Sequence, residues 1–394
     1  MGGLVTNLDI SDFTRRCIED YLTGLGIAPD DFHGAIGEQD EMYHNAIAVK
    51  HTTDFAYFKY IESGRCTHDA MRQFYDHFFG GPDNIGSVLE FASGHGRATR
   101  YLMHYIPKER IWVSDIYADA MAFQKSYFGV NTILSYDDPD KIVCDRKFDA
   151  ITAMSLFTHL PEGLFGRWLK KLASLLEDDG VLFVTAREAG TVLGTRNLDG
   201  IEQTGIVYEH TSESRTLSTD IYGMTTVTDA FMRRQIAEFI SPDAQVQVFR
   251  RGLYLNQDLY AITLREPARF PPIDLKRPPT GGRADCWVPV RGGKDLYISG
   301  WAVDLNDGHD IAEVDLSVDN VSLGALELGP YVVSDFGKYF PGLENAPKAF
   351  AIRLPVADLQ DDSIVKTTVR SSTGAQVEFY APPITTLGQA DPQS

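Results

Sequence analysis

The sequence is short of paired cysteines, of long apolar runs and of positive charge. Its four cysteines, Cys17, Cys66, Cys144 and Cys286, lie far apart and form no CxxC pair, which argues against a zinc knuckle and indicates a reduced, cytoplasmic protein. No apolar run reaches the roughly 20 residues that a membrane span needs. The first residues include acids where a signal peptide would be basic and then apolar. A net charge of -19 argues against nucleic acid as the partner.

A chain of 394 residues favours two domains, and the residue patterns divide it accordingly. Residues 1–82 form a helical N-terminal extension, with Ser11 as the N-cap of one helix and Gly80-Gly81-Pro82 ending a second one. From residue 83 to 265, short apolar strands such as SVLEFA, RIWVSDI and GVLFVTA alternate with helical patterns such as FGRWLKKLASLL. This alternation predicts βαβ units and a parallel sheet with helices on both faces.

The remaining third of the chain has a different residue pattern. The proline-rich stretch REPARFPPIDLKRPPTGG predicts a linker over residues 266–286. Residues 287–382 contain short alternating runs, such as IAEVDLSVDN and IVKTTVRSS, which predict an all-β sandwich, and 383–394 form a tail. The alternation also lapses within residues 188–233, which we interpret as a lid or substrate insertion because it is longer than a simple connection.

The stretch VLEFASGHGR carries the first functional signal. It leaves a buried strand through Glu90, turns through Gly94 and Gly96, and enters a helix. Glycines permit positive φ and let a ligand approach the backbone closely. The stretch lacks the third glycine of a dinucleotide site, and an acid before the loop would repel a pyrophosphate but attract an amino group. Asp115, which ends the next strand, is placed to accept hydrogen bonds from ribose hydroxyls.

These residues resemble those of the class I S-adenosylmethionine-dependent methyltransferases over roughly residues 55–265. VLEFASGHGR resembles the glycine-rich first motif of the family, with alanine in place of its first glycine, and WVSDIYADAM resembles the second-strand motif. The resemblance implies a Rossmann-like seven-stranded sheet and S-adenosylmethionine as the cofactor. It implies these cofactor-binding residues: Glu90, Ala92, Ser93, Gly94, Gly96, Asp115, Ile116, Ser135, Tyr136 and Ser155.

The acceptor side is predicted from position rather than from a motif. His159 follows the fourth strand, beside the expected methyl group, and is a candidate general base or substrate contact; organising the start of the next helix is the other interpretation. In the insertion, His210, Asp220 and Tyr222 are candidates for polyol binding or proton removal. His95, inside the glycine loop, is expected to face solvent. The acids of DDPD at 137–140 are interpreted as a polar turn, so no metal site is predicted.

The C-terminal sandwich, with SGWAVD and FAIRLPV, resembles modules appended to bacterial glycosyltransferases and methyltransferases of surface-polysaccharide assembly. It could bind glycan or a partner enzyme, or dimerise. The acceptor is therefore expected to be a hydroxyl on a sugar of a glycan or glycosylated product. Three alternatives stay open: N- or O-methylation of a small metabolite with the sandwich as an oligomerisation module, a non-catalytic glycan-binding adapter, and a dehydrogenase.

Overall fold

The computed structural model divides the chain into two compact units. The first comprises residues 1–10 and 27–273, and the second comprises residues 11–26 and 274–394. The described residues are 3–50, 52–190, 198–253, 256–265, 276, 280–281, 290–292, 295–306, 309–330, 347–355 and 359–381. Most of the predicted linker and all of the predicted tail lie outside them. In these described stretches, no helix is both long and apolar enough to cross a membrane.

The elements are numbered along the chain. The helices are α1 (Asp12–Gly24), α2 (Glu41–Lys50), α3 (Thr53–Phe79), α4 (Thr99–Leu102), α5 (Ala118–Phe123), α6 (Glu162–Ala173), α7 (Ile201–Thr204) and α8 (Asp229–Phe239). The strands of the first unit are β1 (Val88–Phe91), β2 (Ile111–Asp115), β3 (Asn131–Leu134), β4 (Phe148–Ala153), β5 (Leu176–Ala186), β6 (Ile206–Glu209), β7 (Met224–Val227), β8 (Gln245–Leu253) and β9 (Gln257–Thr263).

A seven-stranded sheet with the order β3-β2-β1-β4-β5-β9-β8 forms the first unit's centre. The first five strands are parallel, whereas β9 runs antiparallel to both β5 and β8. Helices pack on the sheet because apolar side chains emerge from both of its faces: Phe91 contacts Trp168 of α6, and Phe183 contacts Phe74 of α3. The predicted α/β fold with a methyltransferase-like sheet is confirmed.

Local signals explain several element ends. The side chain of Thr52 accepts a hydrogen bond from the N–H of Phe55 and begins α3, and Gly80 ends α3 in the left-handed region at φ 74°. The stretch ATRYLMHYI predicts a helix over residues 98–106, and this prediction is only partly right. It contains the short α4 and continues in turns, because His104 and Tyr105 donate their N–H groups to carbonyls three residues back.

Two sequence predictions need correction. The apolar stretch FDAITAMSLF predicts a strand over residues 148–157. The strand ends at Ala153, since Ser155 adopts φ 60° and turns the chain away from the sheet. Helix α2 was missed altogether. Its N-terminus carries a recognisable signal, because Asp40 accepts the N–H groups of Met42 and Tyr43 at 3.0 and 3.1 Å.

The second unit contains a β-sandwich together with α1. Its strands are β10 (Thr280–Gly281), β11 (Val290–Gly292), β12 (Asp295–Val303), β13 (Ile311–Val318), β14 (Val321–Ala325), β15 (Gly329–Pro330), β16 (Lys348–Pro355), β17 (Val365–Ser371) and β18 (Gln376–Tyr380). One sheet contains β10, β11, β12, β15 and β16, and the other has the order β14-β13-β17-β18. Their inner faces share a core, in which Ile298 and Leu354 of the first sheet pack with Leu316 and Val365 of the second.

Helix α1 packs on this sandwich within the same unit. Ser11 caps the helix as predicted, its side chain accepting from the N–H of Thr14. Asp20 then accepts hydrogen bonds from Lys366 at 2.8 Å, Tyr380 at 2.9 Å and Asn320 at 2.6 Å. The side chains of Asp20 and Lys366 are both only 12% exposed, so this ion pair joins α1 to the sandwich largely out of contact with water.

The substitution Asp20→Ala is expected to lower the unfolding free energy of the second unit by about 1–3 kcal/mol, because the nearly buried ammonium group of Lys366 loses its ion pair with this carboxylate. Thermal or urea denaturation of the full chain measures this, with the exposed Asp361→Ala as the matched control. Equal stability of the two variants would show that the hydrogen bonds of Asp20 do not stabilise the packing of α1 on the sandwich.

Candidate functional site

The loop after β1 is bent by three residues in the left-handed region. Ala92, Gly94 and Gly96 have φ values of 58°, 54° and 78°. The conformation costs a residue with a side chain about 1–2 kcal/mol, so Ala92 holds strain that the surroundings must offset. The N–H of Ser93 donates to the carbonyl of Ser114 at 3.1 Å, and the N–H of Gly94 donates to the carboxylate of Asp115 at 2.7 Å. The end of β2 therefore fixes the bend.

The two glycines of this loop have different surroundings. A Cβ on Gly94 would meet no atom within 4 Å, so its backbone faces open space. A Cβ on Gly96 would lie 2.3 Å from the ring of Phe128 and 2.7 Å from Gln124. Gly96 therefore does not line the cavity described below, and it permits close packing of the loop against the segment that follows α5.

Glu90 and Asp115 are carboxylic acids in buried surroundings. Glu90 accepts a hydrogen bond from Thr99 Oγ1 at 2.7 Å, yet burial raises its pKa to about 7. Burial also raises the pKa of Asp115 above its usual value, although the N–H groups of Gly94 and Tyr117 favour the ionised form. Two acids held in this way make the site favourable for a ligand with positive charge and hydrogen-bond donors.

A cavity of about 440 Å³ opens above these residues, at the carboxyl ends of the parallel strands. Nine of the ten residues predicted to bind cofactor line it: Glu90, Ala92, Ser93, Gly94, Asp115, Ile116, Ser135, Tyr136 and Ser155. The expectation that His95 faces solvent is wrong. Its side chain is 5% exposed and its Nε2 lies 3.1 Å from Asp119, because α5 and the backbone of Gly37 pack against the ring.

His159 and Tyr222 meet on the opposite wall of the cavity. Their rings stack at 4.2 Å with an interplanar angle of 10°. The carbonyl of Gly223 lies 2.6 Å from His159 Nδ1, and the N–H of Gly223 donates to the carbonyl of His159 at 2.9 Å. The carbonyl accepts only from a protonated Nδ1, so in the neutral ring Nε2 carries the lone pair. That Nε2 lies 3.5 Å from Glu213 Oε1.

The other two acceptor-side candidates lie elsewhere. His210 and Asp220 have side chains that are 64% and 81% exposed, and they pair with each other at 3.4 Å. Neither lines the cavity, to which the connection between β6 and β7 contributes only Glu213, Ser214, Leu217, Ile221 and Tyr222. A catalytic role for this pair stays a prediction without support from the geometry.

Several cavity residues had no individual sequence signal. Asp40 caps the start of the missed helix α2, Glu41 is the first residue of that helix, and Tyr60 of α3 donates its hydroxyl to Asp40. Arg187 follows β5 and donates to the carbonyl of Thr158 at 2.8 Å. Only the N-cap pattern before α2 could have indicated any of these, since the rest are brought in by tertiary contacts.

Ser155 is held above the strand ends by a polar cluster. Its N–H donates to Thr185 Oγ1 at 2.7 Å, and Gln257 donates to its hydroxyl at 3.0 Å. Thr185 in turn donates to Gln257 Oε1 at 2.6 Å. Strands β5 and β9 thus hold the left-handed turn at Ser155, which faces the cavity.

The acids at 137–140 form ion pairs with neighbouring cations. Asp137 pairs with Lys141 at 2.8 Å, and Asp138 and Asp140 pair with Arg167 at 2.5 and 2.7 Å. Within the part of the chain that the structure describes, no group of three His, Cys, Asp or Glu residues is placed to hold a metal ion.

Comparison with known proteins places this geometry in a class. Residues 89–182 match the family model described as a methyltransferase domain. Among solved structures, the chain is similar to a DhpI–SAH complex (16% identity, 57% of this chain and 96% of that chain, TM-score 0.36). It is also similar to the plantazolicin methyltransferase BamL bound to a triazolic desmethylPZN analog and SAH (12% identity, 58% of this chain and 97% of that chain, TM-score 0.37). With TM-scores below 0.5, these likenesses do not establish relatedness. No curated protein matches the chain.

The matched residues span β1 to β5, which carry the bent loop and both buried acids. The part of the first unit that the family model matches is a methyltransferase domain, and its bent loop and two buried acids fit S-adenosylmethionine as the cofactor. The predicted enzyme class and cofactor are thereby confirmed.

Glu90→Gln is expected to change how the unfolding free energy depends on pH. The pKa of Glu90 is about 7 in the folded chain and 4.5 as a free side chain, so folding favours the protonated form. This contribution is fully present below about pH 4.5 and is lost as the pH rises through 7. Between pH 5 and 8 the wild type should lose on the order of 2 kcal/mol more than E90Q.

Urea denaturation of the cofactor-free protein at several pH values measures this difference. The exposed Glu109→Gln is the matched control, because it removes a carboxylate that stays in water. Parallel pH profiles for the wild type and E90Q would contradict the buried state of Glu90.

Proposed function

We propose that this methyltransferase domain transfers the methyl group to an acceptor hydroxyl, and that the acceptor is a sugar of a glycan or glycosylated product. The observation that carries the proposal is the 2.6 Å contact between His159 Nδ1 and the carbonyl of Gly223, which favours a neutral ring with the proton on Nδ1 and the lone pair on Nε2, in a residue that lines the cavity. A sugar suits the surrounding wall, which combines a flat aromatic face with many polar groups. The wall residues that support this interpretation are Gln39, Asn45, Tyr117, Glu213, Ser214 and Tyr222.

The cofactor half of the cavity has the groups that S-adenosylmethionine requires. We assign Glu90 to the ammonium group, the backbone at 92–94 to the methionine part and Asp115 to the ribose hydroxyls. The open space beside Gly94 fits this assignment, since a Cβ there would occupy the cradle. Ile116, Ser135 and Tyr136 would border the adenine, and Ser155 would lie near the sulfonium.

The cofactor supplies a methyl group already activated for displacement. The protein's tasks are to align the acceptor oxygen, exclude water and accept a proton. His159 Nε2 takes the hydroxyl proton as the oxygen attacks. Stacking on Tyr222 and the contact to Gly223 hold the imidazole in place, and the carboxylate of Glu213 stabilises the imidazolium that forms.

A second candidate is methylation of an amine. The half-exposed carboxylate of Glu213 at the same wall favours it, because a carboxylate attracts an ammonium group. The two candidates share the cofactor site and differ only in the acceptor atom. The β-sandwich belongs to this proposal as a module for glycan or partner binding.

The double variant Glu90→Gln, Asp115→Asn is expected to weaken S-adenosylmethionine binding at least tenfold, because two charge-assisted hydrogen bonds are lost. In the wild type, affinity should also fall as the pH drops below about 7, where Glu90 in the free protein becomes protonated. Calorimetric titration measures both effects, with the exposed Asp145→Asn as control. Unchanged affinity in the double variant would overturn the cofactor assignment.

His159→Gln is expected to lower the turnover number about 10²–10⁴-fold through loss of the base, while cofactor affinity is retained. Turnover is measured with labelled S-adenosylmethionine against nucleotide sugars and oligosaccharides, and mass spectrometry identifies the product. The exposed His309→Ala in the other unit is the control.

Full activity of H159Q would exclude His159 as the base. Methylation of amines alone would favour the second candidate. Glycan binding without any turnover would leave the chain as an adapter.

A further inference from the structure

Tyr117 connects the cofactor side of the cavity to the acceptor side. Its N–H donates to Asp115 Oδ1 at 3.2 Å, two residues after that strand end. Its hydroxyl lies 3.1 Å from Glu41 Oε2, 3.0 Å from Ser214 Oγ and 2.8 Å from Thr216 Oγ1. Tyr117 therefore contacts the predicted ribose-binding residue through its backbone N–H and two other segments of the chain through its hydroxyl.

Glu41 is the second end of this connection. It lies in the first turn of α2 and accepts from the N–H of Arg215 at 3.0 Å and from the hydroxyls of Ser214 and Thr216 at 3.3 and 3.4 Å. Asn45, one turn further along α2, donates to the carbonyl of Glu213 at 3.4 Å. Residues 213–217, which we call the strap, are thus held on α2.

The strap forms part of the cavity wall, because Glu213, Ser214 and Leu217 line it. It belongs to no helix or strand, and its described contacts include hydrogen bonds to Glu41, Asn45 and Tyr117 and the contact of Glu213 with His159. Each such bond contributes about 1 kcal/mol, and several are exposed. Contacts of this strength form and break readily, so the position of the strap responds to small changes at Tyr117.

We propose that Tyr117 is a positioning residue that couples occupancy of the cofactor site to closure of the strap over the acceptor side. The coupling rests on the proposed function, in which Asp115 binds the ribose. A ribose on Asp115 fixes the backbone at 116–117, and this holds the Tyr117 hydroxyl where it meets Glu41 and the strap. Linkage is reciprocal, so a closed strap also strengthens cofactor binding.

The consequence for the reaction is an order of events. The strap carries Glu213, the partner of His159 in the proposed proton transfer, at 3.5 Å. The acceptor wall is therefore complete when the cofactor is bound, and an acceptor that binds afterwards meets the assembled base. Water is kept from the activated methyl group in the interval.

The strap offers its own reporter, because Arg215 is an exposed site for trypsin. The test measures the rate of cleavage after Arg215 by mass spectrometry of the full chain, with and without S-adenosylhomocysteine. In the wild type, the ligand should slow this cleavage several-fold. In Tyr117→Phe, cleavage should be fast, and the ligand should no longer slow it.

Further variants keep the test sharp. Glu41→Gln leaves Tyr117 intact and removes the carboxylate charge that the Tyr117 hydroxyl contacts. In this variant, too, the ligand should no longer slow cleavage after Arg215. The double variant should behave like either single one, since both act through one connection. The matched control is Tyr105→Phe. It removes a tyrosine hydroxyl that donates to Asp76 at 2.6 Å, and neither residue lines the cavity. This variant should keep the wild-type protection.

Calorimetry separates the two possible failures. If S-adenosylhomocysteine does not bind the wild type, the proposed function fails and the coupling fails with it. If it binds, but Y117F and E41Q show the same protection at Arg215 as the wild type, the coupling alone is overturned.

Discussion

The hydrogen bond from the N–H of Gly94 to the carboxylate of Asp115 is the contact on which the site depends. It joins the loop after β1 to the end of β2, two neighbouring parallel strands whose carboxyl ends meet at one edge of the sheet. The bend that it stabilises includes a left-handed alanine, which would relax to another conformation without such support. The floor of the cavity therefore forms only when both strands are in register.

Burial raises the pKa values of the two acids at the floor of the cavity. Glu90 and Asp115 have raised pKa values because the folded chain removes them from water. Burial of the two acids disfavours their ionised forms, and under the proposed assignment an ammonium group and sugar hydroxyls would offset this cost.

The two sides of the cavity are built differently. Strand ends carry the cofactor side, and a network of backbone hydrogen bonds holds them. The acceptor side depends on single contacts between distant residues, such as Gly223 with His159 and Glu41 with Arg215. Gly223 is required there, since a Cβ would lie 2.4 Å from the carbonyl of Glu209.

The sequence by itself determined the alternation of strands and helices, the bend after β1 and the two acids, because these signals are local: apolar periodicity, glycine and strand-end charge. It also separated the sandwich from the sheet. Only the tertiary structure decided that α1 packs on the sandwich, that His95 is buried, and that His159 meets Tyr222 while His210 stays outside the cavity. These outcomes depend on contacts between residues far apart in the chain, which no local pattern encodes.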